Sequence, residues 1–207
     1  MKVYIQGGDF FYRDMFHARE WLIVQDPNCA DVICFTGGPD IDPAIYGHPR
    51  HPTTHVNGSL DLECEQLYNA NIGDKLFVGI CRGGQFLNVK CGGSMYQDVS
   101  MHGAGHDALD GKGNIVPVTS SHHQMMIPTQ DGVVLLACSK HVSTFRETWH
   151  EGEWTDPYKQ TMPDIEAVWY EEQKCFCFQP HPEWVDKEHP CQQFFFDQIK
   201  KFCDAET

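Results

Sequence analysis

Two short segments carry residue types that do chemistry when held in the right place. The first is Gly79-Ile80-Cys81-Arg82-Gly83, within KLFVGICRGGQFLNV. An apolar strand-like run enters it and a helix-like run leaves it. G-x-C-x-G in that setting is the cysteine form of a nucleophile elbow. Such a turn is too sharp for a Cβ on either flank, so both flanks are glycine. The side chain between them is pushed out at the carboxyl end of a strand, where open α/β sheets place their sites. The helix beginning behind it favours the anionic form of a thiol. The plain alternative is a buried cysteine in a strand-to-helix turn. The second segment is Pro180-His181-Pro182-Glu183, which follows the apolar run Cys175–Gln179. A cysteine nucleophile needs a base, and the base needs an orienting group. His181 and Glu183, stiffened by two prolines, can fill both roles. With 12 histidines in the chain, a lone one means little; the alternative here is a surface ion pair. Acyl transfer also needs oxyanion donors. The elbow offers the backbone N–H of Arg82, and the loop Thr36-Gly37-Gly38-Pro39-Asp40 offers a second donor, because glycine lets backbone approach a substrate closely.

The elements that must position these groups follow from pattern. Lys2–Gln6 alternates and stops at Gly7-Gly8, a first strand. Asp9 can cap a helix running to about Arg19. Val32–Phe35 is a buried strand, Leu60–Ile72 a helix, Leu76–Ile80 a strand, and Gly83–Val89 a helix closed by Gly92-Gly93. Val116–Thr119, Val133–Ala137, Ile165–Tyr170 and Cys175–Gln179 read as strands, and Pro190–Phe202 as an amphipathic helix. Alternating strands and helices predict an α/β fold: one flavodoxin-like three-layer domain over residues 1–207, its central sheet mostly parallel, with helices on both faces and a small antiparallel addition at one edge. Residues 143–164 read as irregular. They fit either a lid or binding loop, or a tolerated surface insertion.

The chain has 207 residues, with 15 basic and 29 acidic side chains and a net charge of −14. That balance argues against nucleic acid and against anionic membrane surfaces. No apolar run approaches the length of a bilayer span. The apolar part of MKVYIQGGDF is too short for a signal-peptide core, so a cytoplasmic protein is expected. The ten cysteines form no C-x-x-C pair. Cys175 and Cys177, two apart in a strand, read as small core residues rather than zinc ligands. His102/His106 and His51/His55 are four apart, but their surroundings are rich in Gly and Pro. Helical ligation is therefore not expected, and neither a metal nor a cofactor is called for.

FTGGPDIDPAIYG, GICRGGQFLNV with GGSMYQDV, TSSHHQ and CFCFQPHPEW occur in that order. Together they resemble the class I glutamine amidotransferase superfamily, and within it the gamma-glutamyl-GABA hydrolase (peptidase-type) branch. The resemblance covers residues 33–184. It implies that Cys81 attacks a gamma-glutamyl amide to form a thioester, that His181 moves the proton, and that Glu183 fixes the His181 tautomer. It further implies that Gly38 and Arg82 supply oxyanion donors, and that Gly37, Gln85, His122 and His123 line the substrate pocket; surface histidines after a strand are the alternative for the last two. The sequence departs from the family where Pro180 replaces the usual Trp, and DLECE at 61–65 follows the branch's acidic pattern only loosely.

Two classes of function remain. One is an enzyme acting on a small gamma-glutamyl substrate, either alone or as a glutaminase subunit of a separate synthetase or amidoligase; a homodimer is compatible with both. The other is a non-catalytic binding module on the same fold, which the presence of Cys81, His181 and Glu183 together disfavours.

Overall fold

In a computed structural model of the chain, residues 1–138, 143–158 and 161–204 are described. The first half alternates as the sequence predicts: β1 (Lys2–Gln6), α1 (Phe10–Ala18), the short β2 (Leu22–Ile23), β3 (Val32–Phe35), α2 (Gly58–Asn71), β4 (Leu76–Ile80) and α3 (Arg82–Lys90). Asp9 caps α1 by accepting from the Phe11 amide at 2.9 Å, and Asn57 caps α2. The second half is mostly strand: β5 (Ser94–Tyr96), β6 (Asp98–Val99), β7 (His106–Asp110), β8 (Ile115–Val118), β9 (Met125–Ile127), β10 (Val133–Cys138), β11 (Arg146–His150), β12 (Glu153–Thr155), β13 (Ile165–Tyr170) and β14 (Cys175–Phe178), before α4 (Pro190–Asp204).

Among the described residues, nine strands form one sheet in the order β2-β1-β3-β4-β14-β13-β10-β7-β8. From β2 to β14 every pairing is parallel; from β14 to β8 every pairing is antiparallel. The protein is thus an α/β fold whose parallel centre carries a larger antiparallel extension than the strand pattern suggested.

The two faces of the sheet can be read residue by residue. Along β3, Val32 and Cys34 pack with Tyr12, Phe16, Phe195 and Phe196 of α1 and α4. Ile33 and Phe35 pack with Tyr68 and Phe86 of α2 and α3. That is the period of two expected of a strand buried on both sides. Cys175 and Cys177 sit together in the α2/α3 layer, and burial holds both thiols well above their ordinary range. They are core residues, as the C-x-C spacing indicated.

Residues 143–164 differ from the irregular segment expected. β11 and β12 form a hairpin, and β11 also pairs with β6. The turn, Glu151-Gly152, has both φ values positive (50° and 91°), which fits a tight hairpin turn. The pattern hides because Arg146 and Thr148, not apolar residues, occupy the buried side. Arg146 pairs there with Asp156 at 2.9 Å and Asp164 at 3.1 Å. Residues 159 and 160 of this stretch lie outside the described residues.

Candidate functional site

The elbow is built from strand β4, Cys81 and helix α3. Cys81 has φ 51° and ψ −112°, a strained backbone for a residue with a Cβ and one associated with functional sites. Its amide donates to the Phe178 carbonyl on the neighbouring β14 at 2.8 Å, which ties the elbow to the strand that leads to His181. Arg82 opens α3, so its N–H is a first-turn amide with no acceptor inside the helix.

His181 lies three residues beyond the end of β14, the strand paired with β4, and interacts with the Cys81 thiol. Its Nδ1 is 2.6 Å from Glu183 Oε1. Thr119 clamps the His181 backbone by donating to its carbonyl and accepting from its amide, both at 2.8 Å. Trp184 stacks flat on the imidazole, with ring centroids 3.7 Å apart and 2° between planes. The aromatic usual before His-Pro-Glu is absent, and one lies against the histidine from the other side of the motif. Burial lowers the His181 pKa, but hydrogen bonds to Cys81 and Glu183 and the charges of both outweigh it, so the value is pushed up to about 9.

Tyr12 was not singled out from the sequence, where it is one aromatic among many on α1. Its hydroxyl accepts from the Gly37 amide at 3.0 Å. Burial raises its pKa, and the neighbouring Glu183 carboxylate raises it further. Tyr12 therefore joins the Gly37 loop to the carboxylate of the candidate triad. With the Gly37 amide taken, the Gly38 amide is the donor the loop has left for an oxyanion. A Cβ on Gly37 would stand 2.9 Å from the Tyr12 oxygen and 3.2 Å from the His181 ring, so only glycine fits between them.

A cavity of about 250 Å³ opens at Cys81, lined by Gly38, Asp40, His55, Gln85, His122 and His123 among others. It is small for a ligand pocket, which suits a small substrate. A larger hollow of about 460 Å³ includes Trp184 and His106 but neither Cys81 nor His181, and no cysteine lines it. Gln85 is held by the Gln124 carbonyl and Gln179 Oε1, each at 3.2 Å. His123 Nε2 is 3.1 Å from both Asp40 oxygens, and that bond is the main cause of its raised pKa. His122 is buried, and its Nδ1 donates to the Gln124 carbonyl at 2.8 Å. Desolvation holds its pKa well below the usual range, so it stays neutral. The Arg82 guanidinium does not serve the cavity. It is paired with Asp61 and donates to Cys64 Sγ at 3.0 Å, which gives DLECE a structural role. Asp61→Ala would strand that buried cation, and a loss of about 3–5 kcal/mol is expected in urea unfolding.

His102/His106 and His51/His55 lie outside the helices. His102 and His106 nevertheless both face Glu166, at 3.6 and 2.9 Å. Spacing along the chain gave no sign of this, because Glu166 comes from β13, sixty residues later.

Geometry of this kind has counterparts. Residues 25–154, well over half of the chain, match the Peptidase C26 family. The chain belongs to that family. This agrees with the class I glutamine amidotransferase motifs. A Mycobacterium tuberculosis protein named as a glutamine amidotransferase is 34% identical over 128 residues, covering 51% of this chain and 41% of the relative. NtpR of Enterococcus hirae is 39% identical over 74 residues, covering 35% and 31%. The chain thus spans 41% and 31% of the length of these relatives. Among solved structures, a Thermoplasma acidophilum protein described as one subunit of GMP synthase aligns over 100% of this chain and 95% of its own, with TM-score 0.64 and 16% identity. A Thermotoga maritima glutamine amidotransferase aligns over 97% and 84%, with TM-score 0.56 and 14% identity. At such identities the likeness is one of fold. No helix among the described residues is long and apolar enough to cross a membrane.

Proposed function

We propose that residues 1–207 form one catalytic domain that hydrolyses a gamma-glutamyl amide, glutamine or a gamma-glutamyl conjugate, through a thioester on Cys81. One observation carries the reading. A strained cysteine at a strand-to-helix elbow faces a histidine whose far nitrogen is 2.6 Å from a buried carboxylate. The sulfur attacks the side-chain carbonyl, and the developing oxyanion meets the Gly38 and Arg82 amides. His181 delivers the thiol proton to the leaving amine as the C–N bond breaks. Water then attacks the thioester, gives its proton to His181, and releases glutamate and the thiol. Glu183 fixes the tautomer, and Gln85, His122 and His123 line the glutamyl pocket. Ten free cysteines support a reducing, cytoplasmic setting.

The test is glutamate release from L-glutamine and from a panel of gamma-glutamyl amines. Release from one conjugate well above that from glutamine makes the protein a stand-alone hydrolase. A second reading, in which the chain supplies ammonia to a partner synthetase, is favoured by the full-length fold match to the GMP synthase protein; slow release from glutamine alone would favour it. Absence of release from every substrate would favour a binding module.

The raised His181 pKa gives the pH dependence a sign. Donation to the leaving amine needs the imidazolium, so turnover should fall as pH rises through about 9. The groups facing His181 are Cys81, Glu183 with Tyr12 behind it, and the neutral His122. The same proton favours the folded state. That contribution is complete below the ordinary value of 6.5 and fades through about 9. A rate profile flat to pH 10 would remove His181 from the acid role.

A further inference from the structure

We propose that His102, His122 and Glu166 form a binding site for one divalent transition-metal ion, zinc by ligand chemistry, adjoining the Cys81 cavity that His122 also lines. The three come from the segment after β6, the segment before β9, and β13. Their relative exposures are 1, 8 and 0%. Each leaves one buried polar atom unpartnered: His102 Nδ1, His122 Nε2 and Glu166 Oε2. Ligand atoms from the three residues all lie within 4.8 Å of one another. His122 Nε2 is 4.0 Å from Glu166 Oε2, and His102 Nδ1 is 3.6 Å from Glu166 Oε1. A tetrahedral zinc site needs such atoms roughly 3.4 Å apart, so the 4.0 Å pair must close by about 0.6 Å and no pair by more than about 1.4 Å. Buried polar atoms are normally satisfied; three orphans from three segments facing one point call for a shared partner.

The surrounding bonds set each group in its ligating form. His102 Nε2 lies 3.2 Å from Asp164 Oδ2, which places the proton there and leaves the Nδ1 lone pair free. His122 Nδ1 donates to the Gln124 carbonyl, which leaves the Nε2 lone pair free. His106 Nε2, 2.9 Å away, holds Glu166 Oε1, which leaves Oε2. Asp164 is itself fixed by the Ser143 amide and hydroxyl at 2.9 and 2.8 Å. Carboxylates and carbonyls behind ligating histidines are the usual outer support of a metal centre, and two histidines with one glutamate is an established zinc set. A second group, His51, Asp98 and Glu147, is weaker. Its members are less buried, and His51 Nε2 is already bonded to Glu147 at 3.1 Å. An ion at His102, His122 and Glu166 would pin the segments after β6 and before β9 to β13. The same segment before β9 carries His123 into the cavity.

The experiment uses untagged full-length protein, stripped with a chelator and dialysed against metal-free buffer. Zinc is added and bound metal measured by mass spectrometry, cobalt binding is followed by visible absorption, and the melting temperature is read with and without zinc. One equivalent should bind, raise the melting temperature, and give the intense cobalt spectrum of a tetrahedral N/O site. His122→Gln and Glu166→Gln should each weaken binding by on the order of 100-fold or more, and Asp164→Asn by 10–100-fold. Magnesium and calcium should not compete. Failure to bind an equivalent, or zinc without effect on melting, overturns the proposal; this arm needs no variant and stands even if the variants misfold. Binding that survives both ligand substitutions also overturns it and points to the histidine-rich surface or to the His51 group.

Discussion

Cys81→Ala should abolish glutamate release, with a loss on the order of 10⁴–10⁶-fold, while the protein stays folded. The magnitude follows from the chemistry. The cavity has a single thiol, Cys81, and His181 is arranged around that sulfur. Removing the sulfur leaves the oxyanion donors and the pocket, which by themselves retain only a small part of such catalysis. The fold should be insensitive. Cys81 carries its strain in the backbone, at φ 51°, and alanine keeps a Cβ and therefore the same strain. Equal melting temperatures with lost turnover would assign the loss to chemistry. Full turnover in the alanine variant would end the thioester reading.

Glu183→Gln separates positioning from nucleophilicity. The amide can still reach His181 Nδ1 but cannot stabilise an imidazolium, and it can present the wrong partner to the ring. A loss on the order of 10⁴-fold is expected. The upper limb of the pH profile should also move below about 9, because Glu183 is one of the two groups that raise His181. A variant with reduced turnover but an unmoved limb would mean that Glu183 only supports the loop.

The elbow, the histidine–glutamate pair and the parallel half of the sheet were readable in the sequence because each rests on local chemistry. Glycines flank a turn, prolines stiffen a strand exit, and apolar runs of four or five residues mark strands buried on both faces. What was not readable depends on long-range pairing. The β11–β12 hairpin turns a buried arginine inward toward Asp156 and Asp164, so its alternation looks polar. Tyr12 acquires its place only when α1 docks against the Gly37 loop. His102 and His106 meet Glu166 through the antiparallel extension, which no spacing along the chain encodes. Arg82 stands inside the most recognisable motif, yet its side chain answers to Asp61 on another helix rather than to substrate.

Gly83→Ala should remove the folded state altogether, at a cost above about 5 kcal/mol, comparable with the whole stability of an ordinary domain. A Cβ at Gly83 would lie 2.1 Å from the Phe35 carbonyl oxygen and 2.5 Å from its carbon. That carbonyl cannot retreat. Phe35 ends β3 and is paired on one side with Gln6 and on the other with Gly79, in the centre of the parallel sheet. Moving α3 outward instead would pull Phe86 and Leu87 from the core layer they share with β3 and β4. It would also carry away the Arg82 amide that the oxyanion needs. Gly79→Ala should fail in the same way, because its Cβ would meet the Gly83 backbone at 2.3 Å. Gly111→Ala is the control: nothing lies within 4 Å of its added Cβ, and a change within about 0.5 kcal/mol is expected. Soluble yield and urea unfolding followed by circular dichroism decide the matter. A Gly83→Ala protein that unfolds at the wild-type midpoint would mean that the strand and helix do not meet at the elbow as closely as described, and the position assigned to the Cys81 sulfur would fall with it.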